Sequence, residues 1–327
     1  MSLSAEAPPV LRPPYDPAIL VALKAFENAG FGSLDEIRAQ AIGSAETVLE
    51  KFPNLGHTEH TLPTINDSTG HMVTLSVFKS ASSTNTSRPA VYIVHGGGQI
   101  AGNRFTTLPA VLEYFEPLDI VAVTVEYRLA PEHPAPAALD DAYAGLIWTA
   151  DNAAKLGIDP TKIMVLGGSG GAPIAAGCAL LAHRNQSPKL RAQMLLTPMI
   201  DDRGETVSAK QYENVGPWCG ATNLMAWDWV LGSARGGPDV SELVAPARAT
   251  DLTGLPPTFI DAGEAEVFRD EAVAYASKLW KFGVSAELHV WKGAFHGFDL
   301  MSGDSPVARS AVAAKISWIK RVFELGE

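Results

Sequence analysis

Short apolar runs closed by turn residues alternate with longer segments whose apolar positions recur at helical spacing. The runs predict strands at 72–78, 91–94, 120–125, 163–166, 192–196, 259–261 and 288–291, and the periodic segments predict helices at 135–154, 173–184, 271–282 and 308–325. Strands that alternate with helices imply an α/β chain: a mostly parallel central sheet covered by helices on both faces. Residues 80–87 read as a polar turn between two early strands, and no internal repeat is visible. Two stretches fall outside this rhythm. Residues 17–52 read as two helices after a proline-rich lead, and 204–240 hold Tyr212, Trp218, Trp227 and Trp229 between glycines and prolines. Both are expected to form a helical cap. The expected division is therefore N-terminal cap helices over 1–60, a catalytic core over 61–203 and 241–327, and a cap insertion over 204–240.

The apolar run Ile163-Met164-Val165-Leu166 leads directly into Gly167-Gly168-Ser169-Gly170-Gly171. A serine on a strand-to-helix turn, flanked by residues small enough to allow it, has the form of a nucleophile elbow. Glycine-rich turns of this kind also join strand to helix in dinucleotide-binding folds, so the motif needs company. A serine hydroxyl is a weak nucleophile and requires a base, an acid that orients the base, and donors for the oxyanion. His95-Gly96-Gly97-Gly98 follows the strand at 91–94, which makes the N–H groups of Gly97 and Gly98, with that of Gly170, the expected oxyanion donors.

Of the 8 histidines, His296 alone sits on a small-residue loop after the last expected strand, where it can reach the serine as general base. His95 reads as a brace for the glycine loop, His133 as part of a proline-rich turn, His183 as a helix-face residue and His289 as a strand residue. His57 and His60 have H-x-x-H spacing but no evident third ligand, so no metal site is expected. The acid should follow the penultimate strand. Asp261, Glu264, Glu266 and Asp270 all lie there, and spacing does not choose among them.

The segment Tyr127-Arg128-Leu129-Ala130-Pro131-Glu132-His133-Pro134-Ala135-Pro136-Ala137-Ala138-Leu139-Asp140-Asp141, together with the triple-glycine loop and the serine elbow, closely resembles the hormone-sensitive lipase family of α/β-hydrolase esterases. The similarity runs from about Val73 to Phe298. It implies the α/β-hydrolase fold and places the family's acid motif on Glu266-Val267-Phe268-Arg269-Asp270-Glu271, so that Glu266 stands where the family has an aspartate. The resemblance implies that Ser169 attacks an ester carbonyl, His296 transfers the proton, and Glu266 holds the imidazolium. The expected function is hydrolysis of short- to medium-acyl esters through an acyl-enzyme, including a specific acetate ester or lactone. Dehydratases or cyclases and ligand-binding receptors built on the same fold are the alternatives. His296 argues against the receptor, and the intact serine against the lyase.

Two departures from the family pattern carry expectations. Gly168 and Gly170 flank the serine where the family has aspartate or threonine before it and alanine after, which predicts a less rigid elbow. Gln99 replaces the usual large aromatic after the triple glycine, either to bind an oxygenated substrate or to hydrogen-bond the loop. Tyr212, Trp218 and Trp227 are further candidates for pocket lining.

The 327-residue chain carries a formal charge of −11, which disfavours nucleic acid and anionic membrane surfaces as partners and leaves a small ester as the expected one. The first residues show no secretory pattern, no apolar run is long enough for a bilayer, and the 2 cysteines fall in separate segments, so a reducing cytoplasm is the expected location. No cofactor is called for. Dimers built on the last strand and helix are common in the resembled family, which makes a homodimer one expected state.

Overall fold

The computed structural model describes residues 10–27, 33–40 and 43–326. Its centre is an eight-stranded sheet of β1 (Leu55–Pro63), β2 (Met72–Ser80), β3 (Arg88–Val94), β4 (Val121–Glu126), β5 (Ile158–Gly168), β6 (Ala192–Leu196), β7 (Thr258–Gly263) and β8 (Ala286–Trp291). The spatial order is β1-β2-β4-β3-β5-β6-β7-β8; β1 pairs antiparallel with β2, β2 antiparallel with β4, and all later pairs are parallel.

The helices in chain order are α1 (Leu20–Glu27), α2 (Leu34–Gln40), α3 (Ala45–Lys51), α4 (Leu108–Phe115), α5 (Ala137–Asp151), α6 (Ala153–Leu156), α7 (Gly171–Arg184), α8 (Val207–Gln211), α9 (Gly220–Leu231), α10 (Arg269–Lys281), α11 (Phe298–Met301) and α12 (Pro306–Phe323). The strand pleat sorts side chains between two cores. In β3, Ala90, Tyr92 and Val94 join α5, α7 and α10 on one face, whereas Val91 and Ile93 join α3, α4 and α12 on the other. A strand buried on both faces must be apolar throughout, which is why these strands appear in the sequence as unbroken runs. Each fully buried leucine, valine or phenylalanine contributes roughly 1.5–3 kcal/mol relative to exposure.

All seven expected strands form, with ends displaced by a few residues. β1 was not expected. Only Leu55 and Leu62 of its nine residues are buried, so an edge strand of polar residues left no apolar run to read. β1 also straddles the boundary placed at residue 60, so the N-terminal segment ends in the sheet and not in a cap helix. Among the described residues three α-helices, not two, lie between 17 and 52, and the helix expected over 135–154 is divided between α5 and α6 at Asn152. His57 and His60 lie on opposite faces of β1: His57 stacks on Phe78 at 4.6 Å and bonds Ser76 Oγ at 3.0 Å, while His60 packs against Trp148. One metal ion cannot be shared by that pair.

Helix α7 runs so close to its neighbours that a Cβ on Gly177 would lie 2.3 Å from the carbonyl oxygen of Leu243. Alanine ordinarily stabilises a helix interior by about 1 kcal/mol over glycine. Here Gly177→Ala should instead destabilise the fold by about 1–3 kcal/mol through overpacking, measured by urea unfolding.

Candidate functional site

β5 ends at Gly168 and α7 begins at Gly171, which leaves Ser169 on the turn at a φ of +52°. A non-glycine residue is strained in this region, and surrounding contacts must hold it there. Ser169 donates its N–H to the Leu196 carbonyl at 2.8 Å, and its own carbonyl accepts from Ala172 at 3.1 Å and Met199 at 3.2 Å. The turn closes because its neighbours lack side chains. A Cβ on Gly167 would sit 2.3 Å from the Gly171 carbonyl oxygen, and one on Gly171 would sit 2.2 Å from that of Val94.

His296, on the loop after β8, brings Nε2 to 3.0 Å from Ser169 Oγ and Nδ1 to 2.7 Å from Glu266 Oε2. A carboxylate only accepts, so Nδ1 carries the proton, and Nε2 is left to accept from the serine hydroxyl. Glu266 is buried, and its other oxygen accepts the Gly263 N–H at 2.7 Å. The edge of Phe268 packs against the imidazole at 5.2 Å between centroids. This arrangement can move a proton from Oγ to Nε2 while a fixed carboxylate stabilises the imidazolium.

The other acids that spacing left open are engaged elsewhere. Glu264 accepts the Gly293 N–H at 2.9 Å, and Asp270 accepts the Ser208 N–H at 2.7 Å. Asp261 binds Lys315 and Trp291, each at 3.2 Å. Glu271 accepts from the Ile200 and Asp201 N–H groups at 2.9 and 2.6 Å, and burial holds its pKa well above the ordinary carboxyl range.

The glycine loop lies against the elbow. Gly97 and Gly98 have φ values of +104° and +62°, and among the described residues no acceptor meets their N–H groups or that of Gly170. A Cβ on Gly170 would lie 2.4 Å from the nitrogen of Gly98. The elbow is therefore tightly packed against the loop, contrary to the less rigid turn expected from its glycines: the missing side chain admits backbone. His95 braces the loop as expected, with Nδ1 2.7 Å from the Gly96 carbonyl oxygen and its ring stacked on Tyr127 at 4.1 Å. Burial lowers its pKa to about 4, so it is neutral at neutral pH.

The long tyrosine-arginine segment proves to be further bracing. Tyr127 donates its hydroxyl to the His95 carbonyl at 2.9 Å, and Arg128 forks onto Asp141 through Nε and Nη2, both at 2.9 Å. Arg38 of α2 reaches the same region, donating to the Ile100 carbonyl at 2.8 Å and that of Ala130 at 3.1 Å. No local sequence signal marked Arg38, because its partners lie about sixty or more positions away.

Residues 91–300 match the family model described as the alpha/beta hydrolase fold. The chain belongs to that family. The hydrolase is 32% identical over 328 residues to carboxylesterase NlhH of Mycobacterium tuberculosis, covering 97% of this chain and 98% of that protein. A bacterial heroin esterase superposes with a TM-score of 0.86 at 33% identity, covering 94% of this chain and 98% of the other. A hyperthermophilic esterase from the archaeon Pyrobaculum calidifontis gives 0.80 at 29% identity, with the same coverages of 94% and 98%.

In the hydrolase, Ser169 and His296 open into a cavity of about 270 Å³ whose walls include Gly97, Val111, Leu196 and Trp218. α2 and the 204–240 segment both contribute, through Ile37 and through Pro217 and Trp218. Of the four proposed substrate contacts, only Trp218 is placed there. Trp227 is fully buried in a core cluster. Tyr212 is buried with its hydroxyl on the Pro13 carbonyl at 2.8 Å, away from the serine. Gln99 borders a separate small cavity beside Pro136 and Leu139 and does not line the serine cavity, and among the described residues its buried Nε2 has no hydrogen-bond partner, so that nitrogen does not tie down the loop. No sequence signal marks Val111, Leu196 or Ile37 as wall residues, since each reads as ordinary core.

Because Gly98 and Gly170 touch backbone to backbone, Gly170→Ala should displace the glycine loop. Ester turnover should fall by about tenfold to a thousandfold with the protein still folded, checked by kcat and circular dichroism together.

Proposed function

We propose that this hydrolase is a serine carboxylesterase in which Ser169 is the nucleophile, His296 the general base and acid, and Glu266 the orienting carboxylate. The observation that carries the reading is the continuous Glu266–His296–Ser169 relay, with contacts of 2.7 and 3.0 Å, whose serine and histidine line a cavity. The carboxylesterase relatives that span nearly the whole chain support the same reaction class. Ser169 Oγ attacks the ester carbonyl as Nε2 takes its proton, and the N–H groups of Gly97, Gly98 and Gly170 hold the oxyanion. The imidazolium then protonates the departing alcohol, and water deacylates the serine by the same steps. The cavity volume suits short to medium acyl groups.

We assign α2 and residues 204–240 to a cap over this site, on the strength of Ile37, Pro217 and Trp218 in its wall. The exposed edge strand β8, with Val290 at 40% exposure and the neighbouring Trp280 at 50%, supports a homodimer joined through that edge. Two free thiols, Cys178 and Cys219, fit a reducing cytoplasm.

A p-nitrophenyl ester series from acetate to long acyl chains tests the reaction. Turnover should favour the shorter chains, and Ser169→Ala and His296→Ala should each lower it by a thousandfold or more with the fold retained. A folded Ser169→Ala protein with substantial activity would overturn the mechanism. Glu266→Gln should lose far more activity than Glu264→Gln, and the reverse order would assign the acid elsewhere. Analytical ultracentrifugation should find a dimer that Val290→Arg dissociates; a wild-type monomer at micromolar concentration removes the β8 interface.

A further inference from the structure

The wall of the serine cavity is not apolar throughout. Asp261, Asp299, Lys315 and Tyr114 line the same space as Ser169 and His296, beside Leu166 and Leu196. Lys315 is almost wholly buried; its Nζ donates to Asp299 Oδ2 and, at 3.2 Å, to Asp261 Oδ2. Tyr114 donates its hydroxyl to Asp299 Oδ2 at 3.0 Å, and Trp291 Nε1 donates to Asp261 Oδ2 at 3.2 Å. One atom of the cluster is left over. Asp261 Oδ1 is buried and has no hydrogen-bond partner among the described residues.

A buried carboxylate oxygen without a partner is costly, and a protein that gathers a lysine, a tyrosine and an indole around two aspartates had the means to satisfy it. The proton relay does not use this cluster, since Glu266 holds His296. Position adds a second argument. Gly168, Leu196 and Asp261 stand opposite one another in register on β5, β6 and β7. Two strand spacings put Asp261 about 10 Å from the serine turn, within reach of a medium-length substrate chain.

We propose that Asp261 Oδ1 forms a polar subsite for a hydroxyl group carried on the substrate chain several carbons from the ester. The inference rests on the esterase reading for the ester end of the ligand. A hydroxyl suits this oxygen in either protonation state, because it can donate to a carboxylate or accept from a carboxyl. Burial raises the pKa of Asp261, and the Lys315 ammonium opposes that rise. A chain ending in methyl leaves the oxygen orphaned, and sites built to hydrogen-bond a hydroxyl discriminate strongly against analogues that lack it.

Calorimetric titration of the Ser169→Ala protein tests this without turnover. Ethyl 6-hydroxyhexanoate is compared with ethyl heptanoate, and 6-hydroxyhexyl acetate with heptyl acetate, so that the hydroxyl is offered first on the acyl side and then on the alcohol side. At least one hydroxy ester should bind about tenfold or more tightly than its methyl-ended partner, and the pair that responds identifies the side of the ester. No preference in either pair, or no binding by any of the four, overturns the subsite. In the same background, Asp261→Leu should bring the affinity ratio to about one; selectivity retained in that folded variant also overturns it. Absence of ester turnover in the intact protein would count against the esterase reading and not against this binding result.

Discussion

Backbone meeting backbone around Ser169 is the constraint on which the site depends. The serine holds a φ of +52°, and the chain on either side has room for hydrogen alone at Gly167, Gly170 and Gly171. Each absence of a Cβ serves a different contact: one closes the turn on itself, one seats α7 against β3, and one admits the glycine loop to the elbow. Such an arrangement is in place before any ligand arrives, because the serine hydroxyl and the free N–H groups around it are already fixed relative to one another. The strain at a single residue is borne by its hydrogen bonds to Leu196 of β6 and from Met199 beyond it, and by α7, whose apolar residues are anchored in one of the two main cores.

Around that fixed centre, buried charges are distinguished by what they touch. Glu266 and Asp261 are both almost wholly buried near the C-terminal end of β7, and sequence position alone would make either an acid for His296. Glu266 meets the imidazole and one backbone N–H, whereas Asp261 meets an ammonium and an indole. Glu271 is spent on the loop after β6, and Asp141 on Arg128. A carboxylate in a low-dielectric interior takes its character from its nearest donors, so four acids on neighbouring elements acquire four different duties.

The bracing of the glycine loop has the same logic. His95 is kept neutral by burial, bonds the loop through Nδ1 and offers a ring for Tyr127 to stack upon. Tyr127 in turn fastens the His95 carbonyl, so the segment that made the family resemblance legible is mechanical support for the glycine loop. Such residues stay recognisable in sequence although none of them reaches the reacting atoms.

The amino-acid sequence by itself determined the strand-helix alternation, the serine turn, the glycine loop and the histidine, because each is a local property: apolar runs demand two-sided burial, and small residues around a serine permit one sharp turn. It did not reveal β1, whose edge position requires few apolar residues, nor could spacing separate Glu266 from Asp261, Glu264 and Asp270; that choice came from family resemblance. Tertiary structure decided which carboxylate faces His296, that Trp218 lines the cavity while Trp227, Tyr212 and Gln99 turn elsewhere, and that Lys315 meets two aspartates inside it. Those outcomes depend on residues that are distant in the chain and brought within a few ångströms by sheet order and strand register, which no single segment encodes.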